Sequence, residues 1–338
     1  MDFGFTDDQG EIKRTARELL GKRASWERLR ACTESASCDE ELWRELVGLG
    51  WPGIAVSESY GGQGLGVVEL GILLEEAGYA LAATPLLSTA SAALVLQRAG
   101  SAGQRERWLG GLASGELKGA LGTTPAGHGA AELVPDADAA DLFVLVDEQT
   151  REARLLERAD ADVELTATID PTRRYGRVRG SGEQLAGDVA GGLDAATVAL
   201  SAELVGICQR ALDMTLEYVR ERKQFGTPVG AYQAVSHRCA AMLLATESAR
   251  STTLYAAWAA DADAGLLAEA AALAKAAASD AGREVCASAI QAHGGIGFTW
   301  EADVHWLYKR AQMDAALLGG ARQHRATLAR IVGARLAA

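Results

Sequence analysis

Five of the six prolines, Pro52, Pro85, Pro125, Pro135 and Pro171, fall before residue 172, and only Pro228 lies beyond it. Proline removes a backbone donor and clashes with the preceding turn of a helix, so the last part of the chain is free to form long helices. From Ala195 to Val219 the residues Leu204, Ile207, Ala211, Met214 and Tyr218 recur at steps of three and four, which marks one apolar helical face. Arg222 to Pro228 then interrupts the pattern. Further helices are expected from Tyr232 to Asp261, from Gly265 to Ala292, and from Glu301 onward with a weak point at Gly319-Gly320. Four helices with short connections over residues 189–338 read as an antiparallel bundle.

Residues 1–120 also read as helical. Asp7 or Asp8 is expected as an N-cap, with Ala16, Leu19 and Leu20 on one face. A segment from Glu40 to Leu49 stops at Gly50-Trp51-Pro52-Gly53, and another spans Val67 to Ala80. In residues 121–188 the pattern changes to short runs, Leu142 to Val146, Ala153 to Leu156, Val163 to Leu165 and Tyr175 to Val178. Turn signals such as Asp170-Pro171 and Gly180-Ser181-Gly182 separate them. The expected fold is mainly α with a small β insert between an N-terminal helical domain and a C-terminal four-helix bundle.

Composition narrows the function classes. With 49% hydrophobic and 23% charged residues, the 338-residue chain is neither disordered nor fibrous. Its 33 Lys+Arg against 45 Asp+Glu give a net charge of −12 with no dense basic block, which argues against nucleic acid or an anionic membrane as partner. The amino end lacks a basic segment followed by an apolar run. The Ala-rich stretches are interrupted by Asp194, Glu203, Glu269 and Lys275 before they reach membrane length, so a cytoplasmic location is expected. Cys32, Cys38, Cys208, Cys239 and Cys286 are scattered with no C-x-x-C pair, and the five histidines are dispersed, so no metal site is expected.

Three motifs carry possible chemistry. Gly61-Gly62-Gln63-Gly64-Leu65-Gly66 lacks the strand–turn–helix setting of a dinucleotide fingerprint and reads as a structural loop. Arg222-Lys223-Gln224-Phe225-Gly226 at a helix end either complements the helix dipole or offers a guanidinium to a phosphate, with Phe225 packing on a ring. Gln291-Ala292-His293-Gly294-Gly295 either caps a helix or presents bare backbone N–H groups and an amide to an anionic ligand, with His293 as a packing or capping residue.

Together these stretches, in this order, resemble the FAD-dependent acyl-CoA dehydrogenases. The passage from Leu42-Trp43 through Ser57-Glu58-Ser59-Tyr60-Gly61-Gly62-Gln63-Gly64 is similar to the family's P-E-x-Y-G-G-x-G segment, with Ser57 in place of proline. The resemblance implies that Arg222, Gln224, Phe225, Gly226, Gln233, Gln291, Ala292, His293, Gly294 and Gly295 bind an FAD held by a neighbouring chain. It also exposes losses. Gly122-Thr123-Thr124-Pro125-Ala126-Gly127-His128-Gly129 replaces the T-E-x-x-A-G-S-D loop that cradles a chain's own flavin, and no counterpart of the W-I-T strand is visible.

The E-G-T turn that carries the catalytic glutamate aligns with Leu318-Gly319-Gly320, and the alternative base position on the first bundle helix aligns with Ala196. Asp314 and Glu203 are the carboxylates left nearby, for which a surface or interhelical salt-bridge role is expected. The resemblance is therefore to the non-catalytic subunit of the actinobacterial α2β2 acyl-CoA dehydrogenases of steroid side-chain degradation. It implies an acyl-CoA substrate and a partner chain with an intact glutamate. The alternative is a stand-alone, flavin-free protein or enzyme on the same fold that binds CoA thioesters.

Overall fold

The computed structural model describes residues 4–125 and 129–337. Six helices lead: α1 (Asp7–Arg23), α2 (Trp26–Ser35), α3 (Glu40–Gly48), α4 (Val67–Ala80), α5 (Leu86–Ala99) and α6 (Ala102–Ser114). The N-cap of α1 is Thr6, not Asp7 or Asp8. Its hydroxyl accepts from Gln9 N at 3.2 Å while the Gln9 side chain accepts from Thr6 N at 3.0 Å, and the two aspartates sit in the first turn at the positive end of the helix dipole. Helix α4 has the expected limits.

The glycines before α4 form a loop, as their helical surroundings implied. The first N–H groups of α4, on Val67 and Val68, are capped from a distance by the two carboxylate oxygens of Asp261, at 2.8 and 3.0 Å.

Seven strands follow: β1 (Gly119–Thr124), β2 (Ala130–Pro135), β3 (Leu142–Asp147), β4 (Ala153–Glu157), β5 (Ala161–Thr166), β6 (Tyr175–Gly180) and β7 (Glu183–Leu185). They form a four-stranded sheet in the order β1-β3-β4-β7, with β1 and β3 parallel, and a three-stranded antiparallel sheet in the order β2-β6-β5. Strand β3 is buried on both faces. Phe143 and Leu145 meet Val134, Leu156 and Val178 between the sheets, while Leu142, Val144 and Val146 pack toward Leu96, Leu112 and Leu193 on the helices. Burial on both sides explains the unbroken apolar run.

The C-terminal region comprises α7 (Val189–Glu221), a two-residue hairpin of β8 (Lys223–Gln224) and β9 (Thr227–Pro228), α8 (Gln233–Ala262), α9 (Ala264–His293), α10 (Val304–Ala316) and α11 (Ala321–Ala337). The expected fourth helix is thus two helices, parted at Leu317–Gly320. Leu318 and Gly319 adopt left-handed φ values of 53° and 92°, which end α10 and redirect the chain.

Helix α7 is long and apolar enough to cross a membrane by composition, yet 89% of that window is buried inside the fold, as befits a central core helix. Its backbone touches α4 closely: a Cβ at Gly206 would lie 1.8 Å from the Glu75 carbonyl oxygen, and one at Gly78 would lie 2.2 Å from that of Glu203. Alanines such as Ala199, Ala202, Ala256, Ala259, Ala270 and Ala274 fill the bundle interior and permit similarly close helix approach.

The substitution Gly206→Ala should therefore overpack the α4–α7 contact and cost about 1–3 kcal/mol. Gly10→Ala in α1, where a Cβ meets nothing within 4 Å, should instead stabilise by about 0.5–1 kcal/mol. Urea titration of both variants reads the contrast, and equal midpoints would refute it.

Candidate functional site

The hairpin after α7 turns on two consecutive left-handed residues, Phe225 at φ 52° and Gly226 at φ 82°. A pair of positive φ angles is what a two-residue β-hairpin needs to match strand twist. The turn thrusts Phe225 into solvent at 96% exposure. It is held from below by Val229 N donating to Arg222 O at 2.8 Å and by the Tyr232 hydroxyl donating to Gln224 O at 3.1 Å. Arg222 is exposed and has no carboxylate within ion-pair distance among the described residues. Gln233, at the first turn of α8, is likewise exposed.

At the end of α9, Gly294 takes φ 66°, and added Cβ atoms at Gly294 and Gly295 would meet nothing within 4 Å. Backbone there is open to a ligand. Gln291 is exposed, and its amide has no partner among the described residues. His293 is buried: its Nδ1 lies 2.8 Å from Ala289 O and its ring stacks on Tyr218 at 4.5 Å. Burial lowers its pKa, so the ring stays neutral and packs, as its sequence context implied. Because Tyr218 lies one turn before Arg222, this stack brings the hairpin and the glycine loop to one end of the bundle. The result is a group of uncompensated donors, one guanidinium, two amides and bare backbone, suited to an extended anionic ligand.

The α10–α11 turn differs in character. Ala196 is a buried member of the apolar cluster against which Leu318 packs, and neither of these two positions aligned with a catalytic base carries a carboxylate. Leu317 and Leu318, with Leu87, Ser88, Leu121 and Leu200, leave a void of only about 20 Å³. That is room for about one water molecule. The turn is pinned from three sides. Lys275 Nζ donates to Asp314 O at 3.0 Å and Ala315 O at 3.3 Å, His324 Nε2 lies 3.0 Å from Leu318 O, and Gly320 N donates to the Gln323 side chain at 2.8 Å. Of the loop that replaces the flavin cradle, Ala126, Gly127 and His128 lie outside the described residues.

Asp314 and Glu203 are not surface groups; both are buried in an ionic network. Arg173 donates to both Glu203 oxygens, at 3.0 and 2.8 Å, and to Asp314 Oδ1 at 3.3 Å, and its Nε lies 3.6 Å from Asp136 Oδ2. Ser88 donates to Asp136 at 2.5 Å. Arg310 donates to Asp170 and to Thr172, each at 2.6 Å. Burial and the neighbouring Glu203 push the Asp314 carboxyl far up, whereas Arg173 and Arg310 outweigh burial at Glu203 and hold it down. Both carboxyls are fully buried and engaged by Arg173, so neither is presented to a substrate.

Sequence reasoning passed over Arg173, Arg310 and Lys275, because basic residues ordinarily read as surface. The available signal was the set of isolated acids, Glu203 and Asp314, inside apolar helical runs, since buried charges require partners.

Two sequence profiles match the chain: "Acyl-CoA dehydrogenase, N-terminal domain" over residues 6–116 and "Acyl-CoA dehydrogenase, C-terminal domain" over residues 188–333. Acyl-CoA dehydrogenase IpdE2 of Mycolicibacterium smegmatis is 34% identical over 321 residues, covering 94% of this chain and 97% of the relative. Among solved structures, the Tcur3481-Tcur3483 steroid ACAD G363A variant superposes with a TM-score of 0.89 at 28% identity, covering 98% of this chain and 99% of the other. The ChsE4-ChsE5 complex from Mycobacterium tuberculosis gives 0.88 at 28% identity, with 100% and 99% coverage.

The buried ammonium at the turn generates a pH prediction. Burial pushes the Lys275 pKa from 10.5 down to about 7. Between those values the unfolded chain binds a proton that the folded chain has released, so this group makes stability rise with pH. Relative to Lys275→Met, the native protein should gain up to about 1.4 kcal/mol per pH unit between pH 7 and 9. Urea unfolding at several pH values measures it, and parallel stability curves for the two proteins would show that the lysine keeps its charge.

Proposed function

The chain belongs to the acyl-CoA dehydrogenase family, whose cofactor is FAD, and on that premise we propose that it is the non-catalytic subunit of a heteromeric enzyme. In this reading it donates flavin-binding groups to a second, different acyl-CoA dehydrogenase chain that carries the catalytic glutamate. The assembly is α2β2, and it desaturates an acyl-CoA thioester of a steroid side chain in the cytoplasm. The observation that carries the reading is the contrast between the two sites. Arg222, Gln233 and Gln291 stand uncompensated, while the turn aligned with the catalytic base presents Leu317 and Leu318 to an apolar void of about 20 Å³. Likeness over the whole chain to one component of a two-component complex supports a partner of the same family.

When bound, FAD supplies the hydride acceptor for α,β-desaturation. This chain's residues do the rest of its share. The Arg222 guanidinium offers charge-assisted hydrogen bonds to the pyrophosphate. Gln233 and Gln291 donate side-chain amide hydrogens to the ligand's polar atoms, Gln224 adds the amide hydrogen left over from its bond to Lys223 O, and Ala292 to Gly295 let the ligand's anionic part approach the backbone. Phe225 provides an apolar face for a ring, and His293, stacked on Tyr218, keeps the glycine loop beside the hairpin. Leu317 and Leu318 exclude an acyl chain from this chain's own cleft. Proton removal from the thioester's α-carbon then falls to the partner's carboxylate, because leucine has no basic group.

Purified alone, the chain should bind FAD weakly, and co-expression with its partner should give a yellow complex with about one flavin per heterodimer. Stoichiometric flavin on the isolated chain would overturn this. In the complex, Arg222→Ala should weaken flavin retention by about tenfold or more, and Lys223→Ala should leave it nearly unchanged. Leu318→Glu should give the isolated chain no dehydrogenase activity, because proton abstraction needs flavin and thioester held within reacting distance. Enoyl-CoA formation is the assay; activity gained by that lone variant would mean that only the base had been lost.

A further inference from the structure

Where α1, α2, α4 and α7 meet, a cleft of about 110 Å³ carries charge that flavin binding and desaturation do not use. Its polar lining is Arg17, Glu76, Tyr79 and Arg210, and its apolar wall includes Leu20 and the Trp26 indole. Two guanidinium groups approach the Tyr79 ring, that of Arg17 at 3.5 Å from the centroid and that of Arg210 at 5.1 Å. The Arg210 group also lies 5.6 Å from the Trp26 ring.

The two arginines are not equivalent. Arg17 is committed to Glu76: its Nη2 donates at 3.1 Å, its Nε donates to the other oxygen, and Lys13 adds a second cation to the same buried carboxylate. Arg210 has one long hydrogen bond among the described residues, from Nη1 to the Tyr79 hydroxyl at 3.4 Å, and no carboxylate within ion-pair distance. Asp213, one turn further along α7, is already occupied, by the Gln209 amide at 2.9 Å and the Tyr79 hydroxyl at 3.0 Å. A guanidinium placed between two aromatic rings, with donors unused, thus faces a cleft whose acid is neutralised and whose opposite wall is apolar.

We infer that this cleft binds a small planar carboxylate, an aromatic or alicyclic acid of about the size of benzoate. The carboxylate takes the free N–H groups of Arg210, and the ring lies against Trp26 and Leu20. The planar fork of arginine matches a carboxylate bidentately, the indole favours a flat apolar body, and a cavity of about 150 Å³ suffices to enclose benzene. The slightly smaller volume here, about 110 Å³, suits a single ring with its acid group directed to Arg210.

Calorimetric titration of the full chain with benzoate, benzamide and inorganic phosphate tests the inference. Benzoate should saturate one site. Benzamide, which keeps the ring without the charge, and phosphate, which keeps the charge without the ring, should each bind about tenfold more weakly or worse. Arg210→Met should abolish benzoate binding, Arg210→Lys should restore only part of it, and Trp26→Leu should weaken benzoate without altering the response to phosphate. Thermal melts establish that each variant is folded. Heat that does not saturate, benzamide or phosphate binding as tight as benzoate, or benzoate binding that survives in a folded Arg210→Met protein would each overturn the assignment.

Discussion

The architecture depends on one buried side chain. Arg173 lies in the connection between β5 and β6, yet its guanidinium sits inside the helical bundle, bound to Glu203 of α7 and Asp314 of α10 and close to Asp136 just beyond β2. Transferring such a charge from water costs several kcal/mol unless its donors are met, so a placement of the β5–β6 connection that separated Arg173 from these carboxylates would be strongly disfavoured. Arg310 repeats the device from the other side, reaching from α10 to Asp170 and Thr172 of the same connection. Two arginines crossing in opposite directions bind sheet and bundle together more specifically than apolar contact would.

That seam has a bearing on the region aligned with the catalytic turn. Ser88, which lines the residual void, is also the hydrogen-bond partner of Asp136, and the carbonyls capped by Lys275 belong to Asp314 and its neighbour. The packing that closes the cleft and the charges that fix the β insert are therefore neighbours in one network. By contrast, the hairpin and the glycine loop at the ends of α7 and α9 are supported mainly by their own backbone and by the Tyr218–His293 stack. Among the described residues the two regions share no hydrogen bond or ion pair, so a substitution in one leaves the support of the other in place.

Part of the fold is legible from sequence: α3 buries one face, through Leu42, Trp43 and Leu46, and stops at the Gly50–Gly53 signal, and β3 shows as an unbroken apolar run. Helix α5 escaped because nearly all of it is buried, so that Leu, Ala, Ser and Thr at 86–99 show no polar face from which a period could be read. Strand β1, rich in glycine and threonine, gave little β signal, and β7 is three residues long. The break at Leu317–Gly320 was flagged by its glycines, though its first left-handed residue is a leucine. At the site, the motif residues could be named from the sequence, but the ionic network could not, because its members lie far apart in the chain and only the fold juxtaposes them.

The exposed phenylalanine of the β8–β9 turn has a kinetic consequence. Phe225 is held at positive φ by a closed hairpin, a conformation that costs a residue without glycine's freedom about 1 kcal/mol or more, and that cost is met during folding. Its ring is displayed before any other surface arrives. A group already fixed in its final backbone geometry surrenders little entropy on being covered, so any encounter through this turn would be a docking of preformed shapes rather than coupled ordering. A ligand or partner covering this turn would thus be limited by diffusion and orientation, not by conformational search.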